Sequence, residues 1–304
     1  MSDERFRALI EARVASPGAI AEAAKVRKPA PSLLGEHGKL MMIAADHPAR
    51  GALRAGPDPL AMADRSALLD RLCLALSRPG VNGVLGTPDI LEDLLLLGAL
   101  EEKVVVGSMN RGGLAGTTFE MDDRFTAYDA KAIKAAGWDG GKMLTRIDPD
   151  DPATVVTLES CANAVSLLAG LGLMAMIEPF ISHRTDGRVH NELTPEAMIR
   201  AMTVSAGLGT TSAYTWLKVP VVDDMERVIA ATTLPTLLLG GEVARDQAAT
   251  FERWGAALRV PGAIGLVVGR SLLFPPDDDV AAAVDAAVGL IPRPGRASAA
   301  GSGS

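Results

Sequence analysis

Short apolar runs alternate along most of this chain with longer segments whose apolar residues recur at helical spacing. Lys39 to Ala45 reads as a first strand, followed by a helix around Asp58–Ser77. Gly83 to Leu85 is the second strand, with a helix through Leu91–Leu97, and Lys103 to Gly107 is the third. A long excursion, Arg111 to Phe125, precedes a helix around Ala127–Ala136. The fourth strand lies near Gly141 to Ile147. Its helix, Val155–Leu168, runs into Gly170 and Gly172 in the manner of a C-cap. Leu173 to Ile177 is the fifth strand, followed by a polar loop, Ser182 to Glu192, and a helix opened by Thr194-Pro195-Glu196. Tyr214 to Pro220 is the sixth, with a helix beginning at Asp223-Asp224. Thr236 to Leu239 and Gly265 to Val268 are the last two, with helices from Ala244 to about Leu258 and near Val280–Leu290.

Eight strand–helix units in series imply parallel strands with right-handed crossovers, and hence an α/β fold of the (β/α)8 TIM-barrel type. An open doubly wound sheet would call for a glycine fingerprint after the first strand, where this chain has Asp46-His47-Pro48. Residues 1–38 form a helical extension, broken at Pro29-Ala30-Pro31, that caps one end of the domain. Residues 39–291 form the barrel. Residues 292–304, rich in Ala, Gly, Ser and Pro, read as a disordered tail.

Composition narrows the function classes. The 304 residues are 48% hydrophobic but only 4% aromatic, which suits helices packed closely on a sheet. A formal charge of −7, with no basic stripe, argues against a nucleic-acid partner. No apolar run nears the ~20 residues of a membrane span, and Met1 to Arg5 is charged rather than signal-like. Cys73 and Cys161 lie in helical segments without metal-type spacing, and read as buried thiols of a reduced, cytoplasmic protein.

In a barrel, chemistry sits at the carboxyl ends of the strands. Four ionisable residues meet that rule on four different strands: Asp46 after the first, Lys142 on the fourth, Glu178 on the fifth and Lys218 on the sixth. Lys218 stands in an apolar run, Tyr214-Thr215-Trp216-Leu217-Lys218-Val219-Pro220, in a chain where arginine greatly outnumbers lysine. Arginine cannot lose its proton or form an imine, whereas a desolvated lysine can do both. Two lysines and two carboxylates placed to converge suit imine chemistry, because a second cation lowers the nucleophile's pKa and carboxylates shuttle protons. Lys142 is the other lysine placed to compete for the nucleophile's role, and Lys218 is preferred.

These residues carry a resemblance. Ala44-Ala45-Asp46-His47, Gly141-Lys142-Met143-Leu144, Ile177-Glu178-Pro179 and Trp216-Leu217-Lys218-Val219-Pro220 resemble the corresponding strands of class I aldolases. The tagatose-bisphosphate, sulfofructose-phosphate and archaeal-type fructose-bisphosphate enzymes are the nearest in pattern, together with an actinobacterial group of deoxyribose-phosphate-aldolase-like barrels. The resemblance covers roughly residues 39 to 275. It implies Lys218 as the imine-forming lysine, Glu178 as proton shuttle, Lys142 as electrostatic partner and Asp46 as a ligand of substrate hydroxyls. It further implies cleavage of a phosphorylated ketose or keto-sugar acid to dihydroxyacetone phosphate and an aldehyde, without metal or cofactor, in a homo-oligomer. A role in sugar or inositol catabolism makes 5-dehydro-2-deoxygluconate 6-phosphate a candidate substrate. This chain differs in reading Glu178-Pro179-Phe180 where archaeal-type enzymes place a tyrosine acid, and in having no lysine after Lys218.

A phosphate anchor is expected at Gly240-Gly241 and Gly269-Arg270, after the two strands that supply it in such barrels; Glu242 must then turn away or pair with Arg270. His47 either lines the mouth or makes a structural hydrogen bond. Arg146 shares the Lys142 face of its strand and either binds a second anionic group or pairs with Glu178 or Asp148. His183 and His190 read as solvated or lid residues, with a zinc site including His47 as the weaker alternative. His37 reads as surface. Residues 112–124 form a lid or a subunit contact. Transaldolase-type transfer and a barrel that only binds a phosphorylated metabolite are the alternatives to aldol cleavage.

Overall fold

The computed structural model describes residues 1–35, 38–244 and 246–292. His37 and the tail from 293 onward lie outside the described residues.

Two helices, α1 (Asp3–Ala15) and α2 (Ala19–Val26), precede β1 (Leu40–Ala44). Then follow α3 (Arg65–Ser77), β2 (Gly83–Gly86), α4 (Pro88–Leu96), β3 (Val104–Ser108), α5 (Ala130–Ala136), β4 (Gly140–Ile147) and α6 (Ala153–Gly170). The second half comprises β5 (Met174–Thr185), β6 (Arg188–Asn191), α7 (Pro195–Ala206), β7 (Thr215–Pro220), α8 (Met225–Ile229), β8 (Thr236–Leu239), α9 (Gln247–Leu258), β9 (Ala263–Val268), α10 (Arg270–Leu273) and α11 (Val280–Gly289). Eight strands pair in parallel in the order β4-β3-β2-β1-β9-β8-β7-β5, and β5 pairs back onto β4. The sheet is closed, a (β/α)8 barrel.

The two-residue period of a strand divides the core. Leu40, Met42, Val106, Met174, Met176, Leu237 and Val267 fill the barrel interior, while the alternate residues Met41, Ile43, Val105, Ala175, Leu217 and Leu266 pack outward under the helices. Lys142, Glu178 and Lys218 share the inward parity, so the fold itself carries these charges into the barrel. Five helices that follow strands are started by a side chain accepting the N–H three residues on. They are Asp64 from Ala67, Asp129 from Ala132, Thr194 from Ala197, Asp246 from Ala249 and Asp279 from Ala282. Each such cap is worth about 1 kcal/mol.

The structure departs from the sequence pattern in several places. The segment expected as a polar loop after the fifth strand is a β-hairpin. β5 runs on to Thr185 and pairs antiparallel with β6, Ser182 opposite Asn191 and His183 opposite His190. The helix expected from Asp58 begins only at Arg65, after turns around Pro57 and Pro59. The N-terminal lead-in is two helices. It is the segment after them that closes the barrel, with Ala30, Leu33 and Leu34 packed on the interior core beside the start of β1. Arg27 ties this segment down by donating to the Leu100, Lys103 and Gly137 carbonyls. Contrary to the absence of membrane-length runs expected from sequence, α6 is 18 residues long with mean hydropathy 1.3. It lies against β4 and β5, burying Cys161, Ala164, Val165 and Leu168. Cys73 is half-buried rather than buried.

Gly265 marks a tight point. Thr236 pairs with Ala263 but Leu237 with Gly265, so Ile264 forms a bulge, and a Cβ on Gly265 would collide with the Leu40 carbonyl oxygen. Gly265→Ala is expected to destabilise the protein by about 1–3 kcal/mol in urea unfolding. Gly289→Ala, where a Cβ meets open space, is expected to be neutral or slightly stabilising.

Candidate active site

At the carboxyl ends of the strands the barrel opens into a cavity of about 440 Å³. Asp46, His47, Lys142, Arg146, Glu178, Lys218, Gly240, Gly241, Gly269 and Arg270 all line it, so every site residue expected from the sequence meets in one place. Its floor is a line of alternating charges. Lys218 Nζ lies 2.7 Å from Glu178 Oε1, and Glu178 Oε2 lies 2.5 Å from Lys142 Nζ. Lys142 Nζ lies 3.1 Å from Asp46 Oδ2, which also meets Arg111 Nη1 at 3.1 Å and accepts from Ser108 Oγ at 3.1 Å. Asp46, Arg111, Lys142 and Lys218 are all buried.

Burying a lone charge is prohibitive, and these are tolerated because each meets its opposite. Burial by itself would raise the Asp46 carboxyl, but Lys142 and Arg111 overcome it and hold the group well below the usual carboxylate range. Glu178 follows the same balance: burial raises it, and Lys142 and Lys218 together bring it far below its ordinary value. Burial lowers the Lys142 ammonium's pKa, opposed by Asp46 and Glu178.

Four contributors escaped the sequence reading. Arg111 lies just past β3, held by Asn110, whose side chain spans to β4 by donating to the Leu144 carbonyl and accepting from the Leu144 N–H. Asn110 and Arg111 follow a strand end, the same signal that marks Asp46. Arg50, after β1, and Glu120, deep in the 111–125 excursion, carried no such signal. Arg146 pairs with neither Glu178 nor Asp148: its Nη2 lies 2.9 Å from Glu120 Oε1, which also meets Arg50 Nη2 at 3.3 Å. The excursion therefore packs into the cavity wall of its own barrel.

On the opposite rim, Gly241 has a left-handed φ of 70°, and Arg270 donates to the Arg54 carbonyl at 3.3 Å. Gly240 and Gly269 also answer packing demands, since a Cβ would strike Val268 in one case and the Ala44 carbonyl oxygen in the other. Glu242 points outward, 87% exposed and 3.9 Å from Arg270. His190 lines the cavity from the hairpin, whereas His183 is exposed beside Glu192. Among the described residues, no three His, Cys, Asp or Glu side chains are grouped as metal ligands.

A family model described as Cgl0159-like matches residues 38–288. The chain belongs to the Cgl0159-like family. The crystal structure of Cgl0159 from Corynebacterium glutamicum is 54% identical over 96% of this chain and 98% of that one, with a TM-score of 0.93. More distant structures of similar fold include aldolases. An archaeal fructose-1,6-bisphosphate aldolase, solved with its catalytic Lys covalently bound to the carbinolamine intermediate, is 18% identical over 90% of this chain and 99% of that one, TM-score 0.64. The fructose-bisphosphate aldolase of Slackia heliotrinireducens is 16% identical over 84% and 85%, TM-score 0.61. At such identities the likeness is one of fold. A search of curated proteins gives no match.

His47 gives this Cgl0159-like barrel a measurable acid sensitivity. Its Nδ1 is buried with no hydrogen-bond partner among the described residues, while another part of the ring faces the cavity. Burial pushes the imidazole down to about 3, more than the Asp46 carboxylate restores. The folded pKa thus lies below the unfolded value of ~6.5. Stability from this group is full above ~6.5 and is lost as pH falls towards 3, and Asp46 and Glu178 add to the loss below ~4. Unfolding free energy in urea is therefore expected to decline as pH is lowered from about 7 to about 4. His47→Asn should flatten the decline between ~6.5 and ~4 but leave the steeper fall below ~4; an unchanged slope would contradict the assignment.

Proposed function

We propose that this protein is a class I aldolase that cleaves a phosphorylated ketose or keto-sugar acid through an imine on Lys218. The observation that carries the reading is the Lys218–Glu178–Lys142–Asp46 line on the floor of the cavity. Lys218 has one carboxylate partner, Glu178, whereas Lys142 is held between two, Glu178 and Asp46. Lys142 is thus the lysine fixed between partners, and Lys218 the one with a side left open to a substrate. The aldolase folds named above support the same chemistry at the level of architecture only.

In this reading the Lys218 amine attacks the substrate ketone to give a carbinolamine, and loss of water gives the iminium. The C3–C4 bond then breaks, its electron pair moving into the iminium to form an enamine while the C4 hydroxyl proton passes to a base. Protonation of the enamine at C3 and hydrolysis release dihydroxyacetone phosphate, beside the aldehyde already formed. Glu178 is the group placed for these transfers. Its resting pKa is low because two ammonium groups face it. At the carbinolamine stage the Lys218 nitrogen is neutral and one of those cations is gone, so Glu178 can hold a proton there and give it to the hydroxyl that leaves as water; the carboxylate so restored is the base for the C4 hydroxyl. Lys142, still held by Asp46, keeps the carboxylate in position. The Gly240-Gly241 and Gly269-Arg270 rim would take the phosphate.

Borohydride added with a ketose phosphate is expected to inactivate the protein and to place a mass increment on the peptide containing Lys218. Lys218→Met should abolish both, and Glu178→Gln should lower kcat by ~10²–10⁴-fold. An increment on the Lys142 peptide, or full activity in Lys218→Met, would refute the assignment.

A further inference from the structure

Charge is balanced on the side of the mouth away from the glycine loops. Lys142, Arg50, Arg111 and Arg146 line the cavity there, and four carboxylates answer them. Asp46 meets Lys142 and Arg111, Glu178 meets Lys142, and Glu120 meets Arg50 and Arg146. The fourth is Asp123, buried within the 111–125 excursion. Burial lowers the pKa of the Arg50 and Arg146 guanidinium groups, and the Glu120 and Asp123 carboxylates oppose it. Spare donors are equally scarce. Arg111 Nη2 and Arg146 Nε are unpaired but enclosed, and Arg50 donates to the Gly113 carbonyl and to Glu120. Lys218 is the one cation in excess of this set, and in the imine reading it is committed to the ketone carbon. A second phosphate or a carboxylate arriving here would meet carboxylates and no uncompensated cation.

The strand order says where the rest of a substrate lies. From the glycine loops after β8 and β9, the closed sheet passes to β7, which carries Lys218, and then to β5, which carries Glu178. In the imine reading Glu178 takes the C4 hydroxyl proton, which sets the carbons beyond C4 over β5. Phe180 follows Glu178 on the same face of that strand, about 7 Å further up. The β5–β6 hairpin and the residues after it add Val189 and Leu193, while β7 and β8 add Pro220 and Leu239, all lining the cavity. Leu193 is 56% exposed. A lone exposed leucine is ordinary, but one set in a cavity wall beside other apolar side chains marks a contact surface. The polar side chains of this hairpin face are neutral or already paired: Ser182 Oγ donates to Asn191 Oδ1, and Arg184 lies 3.6 Å from Asp151.

We propose that the substrate carries a single anionic group, its phosphate, and that its aldehyde half is uncharged and ends in an apolar segment against Phe180, Val189 and Leu193. The proposal rests on the imine reading for the lie of the substrate, and within that reading it removes bisphosphates and sugar acids. Glu120 is a specificity residue in this scheme: by neutralising Arg50 and Arg146 it keeps the wall from holding a second anion.

Alkyl phosphates, which lack a ketone, test the wall without imine chemistry. In calorimetry at about pH 8, where ordinary imidazoles are neutral, each methylene added from ethyl to pentyl phosphate is expected to tighten binding by ~2- to 4-fold. Pentanediol bisphosphate, and a pentyl phosphate chain ending in a carboxylate, should each bind the wild-type protein ~10-fold or more weakly than pentyl phosphate. Leu193→Asn should flatten the methylene increment, and Glu120→Gln should improve the bisphosphate relative to pentyl phosphate by roughly 10-fold. Equal or tighter binding of the bisphosphate or the carboxylate, no gain with chain length, or no binding of any alkyl phosphate overturns the proposal, and the wild-type ranking decides if a variant fails to fold. Borohydride trapping without this ranking defeats the single-anion wall alone. The ranking without trapping defeats the imine alone.

Discussion

The structure turns on one carboxylate. Glu178 reaches Lys218 with one oxygen and Lys142 with the other, and without it two ammonium groups would stand buried side by side. The cost of that arrangement would exceed what an isolated cavity can bear, since removing one partner of a buried pair commonly costs several kcal/mol. Asp46, Arg111 and Ser108 extend the same logic across β1 and β3, so charges from strands on several sides of the barrel neutralise one another. The line of charges therefore holds together only when the sheet is closed. Chemistry and topology are coupled here: opening the barrel between β4 and β5 would separate Lys142 from Glu178, which sit on neighbouring strands one pleat apart.

This coupling also explains which parts of the molecule could be read from the sequence. A parallel barrel has two simple rules, alternate residues face inward and function gathers at carboxyl ends, and both act on strand residues alone. Asp46, Lys142, Glu178 and Lys218 obey both rules and were legible. Arg270 and the glycines at 240, 241 and 269 follow strand ends and were legible too. Arg50 and Glu120 obey neither rule. Their place in the wall depends on how the excursion folds back over the mouth, which is set by contacts such as Ala115 N–H to the Arg50 carbonyl and Gly113 N–H to Asp123, which no periodicity announces.

The misread elements have physical causes of the same kind. The β5–β6 hairpin stands above the barrel with polar residues on both faces, so no apolar alternation marks it as strand, and only its ladder of hydrogen bonds does. Leu60 and Met62 fall in the stretch expected as helix, but Pro57 and Pro59 hold the backbone in turns and Met62 is buried from there. The helix expected to open at Asp223-Asp224 does start there, with Asp224 as its N-cap at a left-handed φ of 50°, and runs for five residues.

The plug formed by Leu33 and Leu34 bears on where protons come from. Beneath Lys142 the barrel is filled by Met42, Val106, Met176 and Leu237, each wholly buried, and beneath them the plug shuts the lower end. The barrel is a blind well. The described residues beneath the ammonium groups are wholly buried, so hydrogen exchange at Lys142 runs upward, towards the mouth. A molecule seated in the mouth then closes that route for as long as it stays, and the few protons trapped beneath it become a fixed inventory shared between the bound molecule and four side chains.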